Sequence, residues 1–153
     1  MRLFYFSLAR VAAVLALSFF VACSSKRDDP APVPVAFSGM AWKVDYVKTK
    51  ALSARVQPSG NYLTISGVGS VGTSSMLLYV PNAVGTYALD GTSPAYASYS
   101  AAASNTQVFS CTSGTIVVSS ISATNVTGSF AFKSANYTGD SRDVTEGVFN
   151  VNF

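Results

Sequence analysis

The chain has 153 residues, no histidine, two cysteines, 11% charged side chains and a formal charge of +3. Without histidine, Ser-His-Asp catalysis and histidine-bearing zinc sites are excluded, and two cysteines are too few for a four-cysteine zinc site. There is no basic stripe interleaved with aromatics, so nucleic acid has no electrostatic footprint to bind.

Residues 1–22 read as an export signal. Arg2 and Arg10 give a positive start, and Val11 to Ala22 is an almost unbroken apolar run, the pattern of a secretory leader. A bilayer span needs roughly 20 apolar residues. Extending the run back to Leu3 would place Arg10 inside it, at a cost of about 2.5–3.5 kcal/mol. Phe20-Val21-Ala22-Cys23 resembles the lipobox of bacterial lipoproteins, with Phe20 standing where Leu is usual. The resemblance implies that the peptide is cut before Cys23, that its thiol is diacylated with palmitate-like chains, and that the new N-terminus is acylated too. Each buried CH₂ contributes ~0.8 kcal/mol, so such an anchor holds. Loss of Arg2 and Arg10 leaves eight basic against seven acidic residues.

Lys26-Arg27-Asp28-Asp29 is either a solvated linker or, by resemblance to Bacteroidota lipoproteins, a surface-export signal. Pro30, Pro32 and Pro34 favour an extended spacer. The expected organisation is therefore a signal helix over 1–22, the lipidated Cys23 and tether over 23–35, and one domain over 36–153. About 115 residues suffice for one core.

From Phe37 on the apolar period is two, with turn residues every 8–12 positions, which predicts an all-β antiparallel sandwich or barrel. The predicted strands are 41–48, 51–57, 61–66, 75–80, 85–89, 95–100, 107–112, 115–121, 125–133 and 144–153, about ten in all. Trp42, Val44 and Tyr46 share one face of the first. Pro58 to Asn61 reverses the chain, Gly67 to Thr73 is a hairpin loop or bulge, and Asp90-Gly91 is a turn. Residues 95–100 read as an edge strand running into a loop at Ser104-Asn105, Ser113-Gly114 as a hairpin turn, and 134–142 as polar loop. Short connections favour a meander, because parallel pairs need crossovers of a dozen residues.

Gly114-Thr115-Ile116, Val126 to Phe130 and Thr145 to Phe149, with a Trp-bearing first strand after a lipobox, are similar to small Bacteroidota lipoproteins of a domain-of-unknown-function family. That resemblance implies a β-sandwich or lipocalin-like sheet and brings no catalytic residue.

The acids of the domain are Asp45, Asp90, Asp140, Asp143 and Glu146. Asp140, Asp143 and Glu146 are candidates for calcium, although no EF-hand-like run is present and Arg142 lies among them. Trp42, Tyr46, Tyr62, Tyr79, Tyr87, Tyr96, Tyr99 and Tyr137 could form an exposed aromatic platform for sugars or a partner protein, with Trp42, Tyr96 and Tyr99 the ligand-binding candidates, against a reading in which aromatics pack the sheet. Tyr96 and Tyr99 differ in parity and face opposite sides. Cys111 is left without a partner and is expected to be an inert thiol. The expected function is that of a lipid-anchored, exported, non-enzymatic binding or structural module of the bacterial cell envelope, at its outer membrane. It needs no cofactor, contacts the membrane through its anchor, and has a carbohydrate or protein partner. The alternatives are a lipocalin-like carrier of a small apolar ligand and a small cell-envelope hydrolase, the latter requiring two acids to meet in a cleft.

Overall fold

In the computed structural model, residues 37–69, 74–101 and 107–153 are described, all within one compact unit. The signal, Cys23, the tether, part of the Gly67–Thr73 segment and Ser104-Asn105 lie outside the described residues.

Alternation of apolar and polar residues builds nine strands: β1 (Gly39–Val44), β2 (Val47–Ser59), β3 (Tyr62–Gly69), β4 (Ser75–Pro81), β5 (Gly85–Ala88), β6 (Tyr96–Ser100), β7 (Val108–Ile121), β8 (Asn125–Ala135) and β9 (Ser141–Asn152). All pairings are antiparallel. β1 to β4 and β6 to β9 follow one another round the wall, and β1 pairs with β9, so the sheet closes into an eight-stranded barrel. β5 is the extra strand. It pairs with the lower part of β7, whose upper part on the same edge pairs with β6. Closure satisfies the backbone of nearly every strand on both edges, which a sandwich cannot do.

An eight-stranded barrel is just wide enough for side chains to fill. Here they do. Met40, Trp42 and Val44 of β1 point inward, as do Leu63 and Ile65 of β3, Met76, Leu78 and Val80 of β4, and Ile116 and Val118 of β7. Phe130 and Phe132 of β8 meet Phe149 and Val151 of β9, and together these side chains make one buried cluster. The rings of Phe130 and Phe132 are 6.2 Å apart, and those of Phe130 and Phe149 6.4 Å. Gly147 makes room for this stack, since a Cβ there would lie 2.5 Å from the Phe130 ring.

The nine strands among the described residues answer to the ten or so expected, and the structure corrects four expectations. The first strand ends at Val44, because Asp45 and Tyr46 form the turn and have φ of 46° and 74°; Tyr46 therefore leaves the face of Trp42. Residues 96–100 are no edge strand, since β6 is paired with both β4 and β7. Ser113-Gly114 is no hairpin turn either: β7 runs straight through it, with a bulge against β8 and Gly114 at φ 141°. The loop expected over 134–142 contracts to Asn136–Asp140, where Asn136 Oδ1 accepts hydrogen bonds from the backbone of Thr138 and Asp140.

Candidate functional site

Every charged residue beyond position 36 except Arg55 and Asp90 lies on β1, the β1–β2 turn, the first four residues of β2, the end of β8, the β8–β9 loop or β9. β8, β9, β1 and β2 are neighbours in the barrel, so these charges share one sector of the wall. Apart from Arg55 and Asp90, the rest of the described outer surface is uncharged, with Ser and Thr among scattered exposed apolar residues such as Leu52, Leu77 and Val84.

The sector is organised by two backbone irregularities. The first is the two-residue connection Val44-Asp45-Tyr46-Val47. Positive φ at both central positions is the type I′ pattern, which fits the twist of a hairpin and favours Asn-Gly. Asp45 and Tyr46 occupy it instead. Asp45 is held from β9: its N–H donates to Asp143 O at 3.2 Å, its Oδ1 accepts from Asp143 N at 3.2 Å, and its Oδ2 lies 3.3 Å from Arg142 Nε. Tyr46 has no such support. Its side chain is 91% exposed, and its ring contact is the ammonium of Lys43, 5.7 Å from the centroid.

The second irregularity is a bulge in β9. Register shifts opposite both β1, between Ala41 and Lys43, and β8, between Phe130 and Phe132. Glu146 sits in this bulge at φ 50°. Strict alternation from the buried Val144 would aim Glu146 into the core; the bulge turns it outward and returns Gly147 and Phe149 to the inside. Its carboxylate then bridges two lysines, with Oε1 2.9 Å from Lys43 Nζ and Oε2 3.2 Å from Lys48 Nζ.

Three concavities on the outside of the wall join along this sector. The first, about 350 Å³, is lined by Ala41, Lys43, Lys48, Lys50 and Glu146, among others. The second, about 120 Å³, lies between Lys43, Asp45, Tyr46, Asp143 and Thr145. The third, about 310 Å³, continues from Asp143 and Thr145 over Ala131 and Gly114 to Lys133 and Ser113. Lys43 is common to the first two and Asp143 and Thr145 to the second and third, so the three lie side by side as a segmented groove crossing β2, β1, β9, β8 and β7. Lys50 has no carboxylate partner among the described residues.

Arg142 links the groove to the barrel mouth. Its guanidinium lies 5.0 Å from the centroid of the Phe109 ring, which packs against Tyr99 at 6.1 Å. Burial pushes the Tyr99 phenol above its ordinary pKa, with Arg142 acting in the opposite sense.

The sequence candidates separate. Trp42 is 2% exposed inside the barrel. Tyr96 faces out, its hydroxyl 3.0 Å from Ser110 Oγ, and Tyr99 faces the mouth, so the two occupy opposite sides as their parity implied. The three acids proposed for calcium are engaged in different places. Asp140 is bound by Asn136 and Thr138 within its own loop, Asp143 makes its backbone contacts with Asp45, and Glu146 turns to the lysines. Among the described residues no group of three acids or cysteines is placed to hold a metal. Cys111 is half-buried, and its Sγ accepts a hydrogen bond from Ala97 N at 3.3 Å. Sequence reasoning missed Lys43, Lys48 and Lys50, for which the alternation of lysines around an Asp-bearing dipeptide was the available signal; it counted Tyr46 among the platform aromatics but set it on the strand face of Trp42.

Hydrogen bonds from Lys43 and then Lys48 hold the Glu146 carboxyl below its ordinary pKa, and the Asn136 and Thr138 side chains do the same for Asp140. A folded pKa below the unfolded one gives stability that is present above the unfolded value and lost as pH falls through the folded value. Stability is therefore expected to be level from neutral pH to about pH 5 and to fall below about pH 4. In Lys43→Gln the Glu146 titration followed by carboxyl NMR should move up toward the ordinary range. An unmoved midpoint would show that the lysine bridge is absent in solution.

A family model described as a domain of unknown function (DUF6252) matches residues 36–151. Neither the curated proteins nor the solved structures give a match.

Proposed function

The chain belongs to the DUF6252 family, and on that premise we propose that it is an exported, lipid-anchored recognition module without catalytic activity, working through the charged sector of its outer wall. The observation that carries this reading is the concentration of charge around a strained and exposed Tyr46. Strain of order 1–3 kcal/mol per residue is held in place by the surrounding structure and clusters at ligand sites, and here three non-glycine residues with positive φ, Asp45, Tyr46 and Glu146, adjoin the same concavities.

The filled interior supports recognition outside the barrel over a carrier role, because the inward side chains occupy the space a small apolar ligand would need. A hydrolase is disfavoured by the engagement of the carboxylates: Asp45 with Arg142, Glu146 with two lysines. The lipid anchor is supported by Val21-Ala22-Cys23 and the charged run after it.

Cys23→Ala tests the anchor. The substituted protein is expected to leave the membrane fraction for the soluble one after cell disruption; retention on membranes would remove the lipid-attachment reading.

A further inference from the structure

We infer that the groove binds an acidic carbohydrate, an inference that rests on the recognition-module reading above. The argument begins with Tyr46. Asn or Gly would hold its backbone conformation with less strain, and a ring that is 91% exposed contributes little packing in return. Folding does not account for a tyrosine at this position, whereas contact with a ligand does. An electron-rich aromatic face presented at the lip of an open groove suits the polarised C–H groups of a sugar ring.

The groove beside it supplies polar groups of both signs. Asp45, Asp143 and Thr145 lie on the Tyr46 side and offer acceptors to sugar hydroxyls. Lys43, Lys48 and Lys50 lie further along, against a floor made by Ala41. Glu146 engages the first two, which leaves Lys50, of these three, without a carboxylate partner among the described residues. Tyr46 to Lys50 spans four residues of β2, roughly 13 Å at strand rise, so the occupant is an oligosaccharide that places an anionic group, such as a uronate carboxylate, near Lys50.

Other occupants fit less well. A peptide adding as a strand needs a free sheet edge, and β1, β8 and β9 are paired on both sides. The core of a protein interface is depleted of charge, and this groove is dense with it.

The test uses the full chain in detergent with two probes, polygalacturonate and the neutral polymer dextran, in affinity electrophoresis and calorimetry. Polygalacturonate should bind and dextran should not. Tyr46→Asn, which tolerates the turn, should weaken binding by about tenfold with an unchanged or higher melting temperature. Lys50→Gln should weaken it several-fold and flatten its salt dependence. No binding of polygalacturonate, equal binding of dextran, or full binding by Tyr46→Asn would overturn the acidic-carbohydrate assignment. If Tyr46→Asn instead abolishes binding to dextran or to anionic lipid vesicles, the assignment falls while the recognition surface stands. If neither probe nor vesicles show any dependence on Tyr46, both readings fall.

Discussion

Gly114→Ala is expected to lower the melting temperature by more than about 10 °C. Gly114 lies in the middle of β7 at φ 141°, a conformation that side chains rarely adopt, and it faces Phe132 across the β7–β8 ladder. A Cβ built there would stand 2.5 Å from Phe132 Cα and 2.6 Å from Phe132 Cβ, and closer still to the carbonyl of Ala131. These atoms belong to the neighbouring strand's backbone and its first side-chain carbon, so no rotamer change relieves the contact. Backbone strain of about 1–3 kcal/mol adds to an overpacking cost of about 1–3 kcal/mol. At roughly 4 °C per kcal/mol for a domain of this size, the sum gives the stated shift in thermal unfolding by circular dichroism. Gly139→Ala is the control. Gly139 also has positive φ, 89°, but a Cβ there meets nothing within 4 Å, so it should lose only the strain part, about 1 kcal/mol. Equal losses at the two glycines would mean that the approach of β8 to Gly114 is not what requires the glycine.

The same residue shows where sequence reading stops. Ser113-Gly114 between two apolar runs has the composition of a turn, but a turn and a bulge both ask for an unusual φ, and only the partner strand tells them apart. At Asp45-Tyr46 the error has the opposite origin. Tyrosine has a high strand propensity, and no glycine marks the reversal, so in the sequence the alternation runs on through it. What was legible was the inside of the wall: Met40, Trp42 and Val44, or Leu63 and Ile65, repeat with period two because burial enforces it. Barrel and sandwich share that period. The difference lies in the β1–β9 pairing, which joins residues about a hundred positions apart and which no local pattern encodes. The groove was hidden for the same reason. Lys43 and Glu146 are 103 positions apart, and Glu146 faces outward only because its bulge breaks the alternation that would have buried it.

Trp42→Ala is expected to cost about 3–5 kcal/mol, as removal of a large core aromatic does, whereas Trp42→Phe should cost less than about 1.5 kcal/mol. The difference follows from one atom. The indole is 2% exposed, and its Nε1 is buried with no hydrogen-bond acceptor among the described residues. An unsatisfied buried donor costs about 1–3 kcal/mol, so phenylalanine loses contact area but also removes that cost. The six-membered part of the indole packs over Gly67, where a Cβ would lie 3.2 Å from Cζ3, and a phenyl ring retains part of that packing. Alanine retains none of it and opens a cavity among Met40, Ala51 and Gly67. Denaturant unfolding of both variants separates the contributions. If Trp42→Phe is as damaging as Trp42→Ala, the indole N–H has an acceptor in solution and contributes to stability through it. If both are mild, the interior is less tightly filled than its buried cluster implies, and the case against a carrier weakens with it.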